Sequence, residues 1–183
     1  MIVWFAQEHP ASCVAACLRM VLTNFGQYRS ESSIRRVLGN PRFGITLTQA
    51  ADRLLAAGTM TQWHADWGLD DIRDSLRDGG YPIVGIERRF FGHPSATHAV
   101  VITAVQSADI EMLDPLLGPA PHIASITTFG SFQISVDSFS ESPGSGRMAI
   151  ILLNRHDSSP STTHQRLHDE VYQTPRFRSA HPY

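Results

Sequence analysis

Apolar residues between positions 11 and 25 recur at helical spacing. Cys13, Ala16, Cys17, Met20 and Asn24 share one face, and Val14, Leu18, Val21, Leu22 and Phe25 widen it. A helix apolar on most of its sides belongs in the centre of a protein rather than on its surface. This one is expected to start at Ala11 or Ser12 and to stop at Gly26. A shorter helix is predicted from Glu31 to Leu38, closed by Gly39-Asn40-Pro41. In the third, Thr46 and Gln49 have capping-box spacing, Leu47, Ala50, Ala51, Leu54 and Leu55 face inward, and Gly58 ends the pattern. A fourth runs from about Asp71 to Arg77, with Asp70 as the expected cap and Gly79-Gly80 as the stop.

Beyond Gly80 the period shortens to that of strands. Residues 81–86 predict a strand with Pro82 near its start, where no backbone donor is needed. Residues 88–97 read as a loop, residues 98–105 and 110–113 as strands joined by a polar turn. Residues 124–129 and 148–153 read as further strands, with a short helix or turn near 136–139. Helices followed by an antiparallel sheet define an α+β protein. From Asn154 onward the chain turns polar. The expected division is therefore a folded domain over 1–153 and a flexible polar tail over 154–183. His156, His164, His168 and His181 fall in that tail and read as solvated.

The 183 residues are 42% hydrophobic and 17% charged, as in a soluble globular domain with a real core. A formal charge of −2 provides no electrostatic reason to expect nucleic acid or an anionic membrane as partner. All 15 basic residues are Arg. With no lysine, Schiff-base chemistry and the phosphate-binding lysine of a P-loop are excluded. Cys13 and Cys17 are the only cysteines, one helical turn apart, which suits a reducing compartment better than a disulfide framework. The N-terminus lacks a basic region and reads poorly as a signal peptide. No stretch approaches the roughly 20 apolar residues of a membrane span. The expectation is a soluble, cytoplasmic protein.

Candidate chemistry starts at Cys13, because a thiol in the first turn of a helix lies in the field of unpaired N–H groups that favour thiolate. His98 and Asp114 complete a set of nucleophile, base and orienting carboxylate. If the turn between their strands centres near Ser107, they fall nearly opposite one another. Opposed residues have Cβ atoms about 5 Å apart and diagonal ones about 7–8 Å. Gln7 is of interest as an N–H donor to an oxyanion beside the Cys13 N–H. Plainer readings stand next to these: His98 as the start of a strand, Asp114 as a turn cap before Pro115, Cys13 as a small core residue, Gln7 as solvated. Cys17 reads as inert core, one turn deeper. His9 and His93 are alternative bases or, with Cys13 and His98, zinc ligands. No short ligand spacing supports zinc, so neither metal nor cofactor is expected. Trp63 and Trp67 read as packing residues beside the third and fourth helices.

The run from Ser12 to Leu22 with Gln7 before it and Phe25-Gly26 after it resembles the opening of the bacteriocin-processing, double-glycine leader peptidases. These are papain-like cysteine peptidases. Gly44-Ile45-Thr46 with residues 47–58, Tyr81-Pro82-Ile83-Val84, Thr97-His98-Ala99-Val100-Val101, Leu113-Asp114-Pro115 with Gly118, Phe139, and residues 146–150 are similar to later segments of that family. The likeness spans roughly Val3 to Leu153. It implies a papain-like fold, with Cys13 as nucleophile, His98 as general base then acid, Asp114 as orienting group and Gln7 as oxyanion donor. Two departures stand out. The family usually has Gly after its cysteine, where this chain has Val14, and a β-branched residue there is expected to narrow the cleft or alter substrate approach. No transporter segment follows, so a double-glycine leader is not implied as substrate.

Three functions are open at this level. The first is a cysteine peptidase or amidase acting on a peptide or protein through an acyl-enzyme. The second is an acyltransferase that uses the same site with an amine acceptor. The third is a non-catalytic peptide-binding module. Substrate preference and oligomeric state are not written in the sequence.

Overall fold

Three of the predicted helices form nearly where their patterns place them: α1 (Cys13–Asn24), α2 (Glu31–Val37) and α3 (Leu47–Ala56). The computed structural model describes residues 2–59, 61–64, 67–87, 97–116, 131–135 and 149–152. Predictions for residues 88–96, 124–129, 136–139 and the tail from 154 lie outside them. The capping box at α3 is present in both halves: Thr46 Oγ1 accepts the Gln49 N–H at 3.2 Å, and Gln49 Oε1 accepts the Thr46 N–H at 3.3 Å. Ser30 caps α2 by accepting the Ser33 N–H. Ser12 is the N-cap residue of α1 but gives it no side-chain cap; its hydroxyl turns back to His9. Gly26, at φ 73°, takes the left-handed conformation that lets the chain leave α1.

Helix α4 (Leu69–Arg77) begins earlier than predicted. Its N-cap residue is Gly68, whose N–H bonds Asp71 Oδ2 at 2.7 Å, while Asp70 lies inside the helix and pairs with Arg73. The aspartate that reaches back is thus the second of the pair. Leu69, packed on the core, draws the first turn forward.

Six strands among the described residues form one antiparallel sheet in the order β1-β6-β2-β3-β4-β5. They are β1 (Thr61–His64), β2 (Ile83–Glu87), β3 (Thr97–Val105), β4 (Asp109–Leu113), β5 (Ser131–Ser135) and β6 (Ala149–Leu152). Strand β1 was not predicted. Four residues are too few to display a period, and its partner β6 lies far along the chain, with Thr61 opposite Leu152. Trp63 stands on this edge strand, 39% exposed, whereas Trp67 packs on the core and stacks on His64 with ring centroids 4.4 Å apart.

Both faces of the sheet are covered. Helices α1, α2 and α3 pack with Ile83, Ala99, Val101 and Leu113 on one side. On the other, Ile72 of α4 packs with Val84, Ile86, Val100, Ile102, Ile110 and Met112. The uninterrupted apolar run Ala99-Val100-Val101-Ile102 follows directly: odd residues serve one core and even residues the other, so neither parity can be polar. No helix among the described residues is long and apolar enough to cross a membrane.

Candidate active site

Helix α1 delivers Cys13 to the end of β3, where the ladder with β4 has already finished. The last matched pair at that end is Val101 with Leu113. Continuing the register sets Val100 against Asp114, so His98 is the diagonal neighbour of Asp114 on the same face rather than its direct opposite. The shift in register between Ile102 and Ala104 brings Asp114 one residue closer to His98 than the pairing next to the turn would. The diagonal distance suits a histidine and a short carboxylate. His98 Nε2 and Asp114 Oδ1 are 2.8 Å apart, with the residues only 4% and 1% exposed.

The Cys13 thiol and the His98 ring interact with one another, each shifting the other's ionisation. With Nε2 committed to Asp114, Nδ1 is the ring nitrogen left for sulfur. Asp114 is itself fixed by the turn that carries it. Its Oδ1 also accepts the Leu116 N–H at 2.7 Å, and its carbonyl accepts the Trp4 indole N–H at 2.9 Å. The imidazole therefore has both the carboxylate and the sulfur as partners.

Electrostatics follow from this order. Burial pushes the Cys13 thiol up, but the hydrogen bond and charge of His98, aided by the backbone N–H groups of Ala99 and Val14, outweigh it and bring the thiol below its ordinary value. For His98, burial disfavours the cation, yet the bonds to Asp114 and Cys13 and their charges lift the imidazole to about 9. Cys17 behaves oppositely. Burial, then the charges of Cys13, Asp114 and Glu31, push it well above its ordinary value. It is wholly buried and gives its S–H to the Ala99 carbonyl at 3.3 Å.

Gln7 lies half-buried just before α1. Its Nε2 donates to the His9 carbonyl at 2.7 Å, an assignment forced by the acceptor, since the amide oxygen has no proton to give. The same carbonyl receives the Ser12 N–H and hydroxyl at 3.2 and 2.9 Å. The Gln7 N–H bonds the Pro115 carbonyl at 3.0 Å. Residues 4–9 thus form a strap that ties the Asp114 turn to the head of α1. Trp4 and Ala99 act here and were not singled out from the sequence. Each works through a contact between distant segments that no local pattern announces.

Val14 does not narrow the cleft. It is 4% exposed and packs in the helical core, so only its N–H reaches the sulfur. His9 is exposed and serves through its backbone, and His93 lies outside the described residues. Among the described residues no group of three His, Cys, Asp or Glu side chains is placed to hold a metal ion.

Searches with sequence alone found no matching family model. Nor did any curated protein match. Solved structures do match. The chain is similar to the peptidase domain of Streptococcus ComA, a bifunctional ABC transporter in a quorum-sensing pathway, at 18% identity and a TM-score of 0.57, covering 83% of this chain and 98% of that one. It is similar to a double-glycine-motif protease from an AMS/PCAT transporter, solved with its leader peptide, at 17% identity and a TM-score of 0.57, covering 83% and 91%. A structure described as a C39-like peptidase from Bacillus anthracis aligns at 12% identity with a TM-score of 0.60, over 84% and 95%. The fold is that of these papain-like cysteine peptidase domains, as the resemblance in the sequence implied.

Proposed function

We propose that this chain is a cysteine peptidase or amidase that cleaves a peptide or protein substrate through an acyl-enzyme. The observation that supports the reading most is the buried His98, bonded to the Asp114 carboxylate at 2.8 Å and close enough to the Cys13 thiol for each to shift the other's ionisation. Cys13 is the nucleophile, His98 the acid and base, and Asp114 holds the ring with Nδ1 toward sulfur.

The Cys13 thiolate attacks the amide carbon, forming the C–S bond and sending the carbonyl π pair onto oxygen. The Cys13 N–H, at the first helical position and without an intrahelical acceptor, receives that charge together with the second Gln7 side-chain N–H. His98 gives its Nδ1 proton to the amine nitrogen as the C–N bond breaks. Water, losing a proton to His98, then attacks the thioester and releases the acid and the free thiol. The catalytic unit is assigned to residues 1–153.

Iodoacetamide at mildly acidic pH, followed by mass mapping, tests the assignment. Selective labelling of Cys13 with Cys17 untouched supports the enzyme. Two inert thiols favour a peptide-binding module instead. Product analysis with and without an added amine separates hydrolysis from acyl transfer.

A further inference from the structure

Among the described residues two acidic side chains are buried, Asp114 and Glu31, and the chemistry above uses only the first. Glu31 opens α2 and is fully enclosed. Its Oε2 accepts the Glu8 N–H at 2.9 Å, while Oε1 is buried with no hydrogen-bond partner among the described residues. A carboxyl held this way is costly, and an apolar side chain of similar size satisfies a core position more cheaply when packing is all that matters.

The location of its one bond gives the reason. Glu8 follows Gln7 directly, and the Gln7 N–H is fixed to Pro115 at 3.0 Å. The peptide groups on both sides of the Gln7 Cα are therefore anchored, one to the Asp114 turn and the other to α2. Two anchored peptides set the direction in which the Gln7 side chain leaves the backbone. The other tie at this point is the pair between Glu8 and Arg19, 3.1 Å long with both side chains substantially exposed. Such a pair is too weak and too mobile to set a direction.

We infer that Glu31 is a positioning residue: by holding the Glu8 N–H from inside the core, it sets the direction of the Gln7 side chain, the proposed donor to the oxyanion that forms on attack by Cys13. The inference rests on the reading that Gln7 is an oxyanion donor.

The test uses the full chain, two probes of Cys13 and four variants: Glu31→Leu, Glu31→Gln, Gln7→Ala and the Glu31→Leu/Gln7→Ala double. Iodoacetamide alkylation forms no oxyanion, whereas acylation by p-nitrophenyl acetate does. Glu31→Leu is expected to slow acylation about tenfold while leaving alkylation within about twofold. Glu31→Gln, which keeps an acceptor for the Glu8 N–H, restores acylation. In the Gln7→Ala background Glu31→Leu adds nothing, because the group it positions is gone. Equal slowing of both probes, or an undiminished effect without Gln7, overturns the inference. Should Glu31→Leu fail to fold, Glu31→Ala takes its place: slowed acylation with alkylation kept supports the role, and both probes at the wild-type rate overturn it. A wild-type Cys13 inert to both probes overturns the proposed function as well. A reactive Cys13 that ignores Glu31 overturns this inference alone.

Discussion

The first and second turns of α1 carry the same side chain and give it opposite chemistry. Cys13 and Cys17 stand about 6 Å apart along one helix axis. Both meet Ala99, Cys13 through the N–H and Cys17 through the carbonyl. Burial raises both thiols and is the largest influence on each. What separates them is the group facing the sulfur. Cys13 faces an imidazole that Asp114 keeps cationic, and Cys17 faces only negative charges and a carbonyl. The imidazole, more than the backbone N–H groups of Val14 and Ala99, offsets the burial of Cys13.

Removing one member of the comparison is expected to have the largest effect. Cys13→Ala should abolish turnover, a loss of at least about 10⁴-fold, with the folded state intact by circular dichroism. His98→Ala comes next, since it takes away both the acid and the cation that lowers Cys13, and should cost on the order of 10³–10⁴ in kcat. Gln7→Ala should cost on the order of 10²–10³, carried by kcat more than by KM. Steady-state kinetics on a peptide substrate would check all three. Full activity in Gln7→Ala would remove that residue from the mechanism while leaving the Cys13–His98 pair untouched.

A pH series sharpens the contrast by reading the partner instead of the sulfur. The Cys13 thiol lies below its ordinary value and His98 lies at about 9. Turnover should rise as pH climbs through the lowered thiol value, hold level, and fall as pH passes about 9, where His98 loses the proton that the leaving amine needs. Alkylation by iodoacetamide needs no acid and should lack the alkaline fall. In Asp114→Asn, the negative charge that helps to lift His98 is gone and only a neutral acceptor remains, so the alkaline limb of turnover should move to lower pH. An unmoved limb would mean that Asp114 does not govern the imidazole.

Much of this arrangement was legible in the sequence, for reasons that vary with the residue. The helical half was read from 3.6-residue periodicity and caps such as Thr46–Gln49, which are local signals. Cys13, His98 and Asp114 were legible because a thiol at a helix start and two groups on facing strands have few alternatives once the turn is located. The hairpin estimate placed His98 and Asp114 almost opposite; the observed register sets Asp114 against Val100, which makes His98 its diagonal neighbour. Strand β1 was missed since its backbone bonds are supplied by β6, and the cap of α4 was placed at Asp70, two residues past Gly68. The narrowing expected of Val14 does not occur because a residue one step past Cys13 turns inward on this helix. Glu31 was read only as the start of the second helix, and its burial is what distinguishes it.

The smallest expected effect is the most discriminating between the two thiols. Cys17→Ala removes a buried sulfur and leaves the Ala99 carbonyl without the S–H that reaches it at 3.3 Å. The cavity and the lost bond together should lower stability by about 1–2 kcal/mol, seen as a lower denaturant midpoint with an unchanged slope. Turnover should change by no more than about threefold, because the Ala99 N–H still faces Cys13 and the strand is held by its pairing with β2. The two cysteine substitutions thus predict crossed outcomes, activity lost with stability kept in one and stability reduced with activity kept in the other. If Cys17→Ala in its folded state were as inactive as Cys13→Ala, the nucleophile could not be assigned to the first turn of α1.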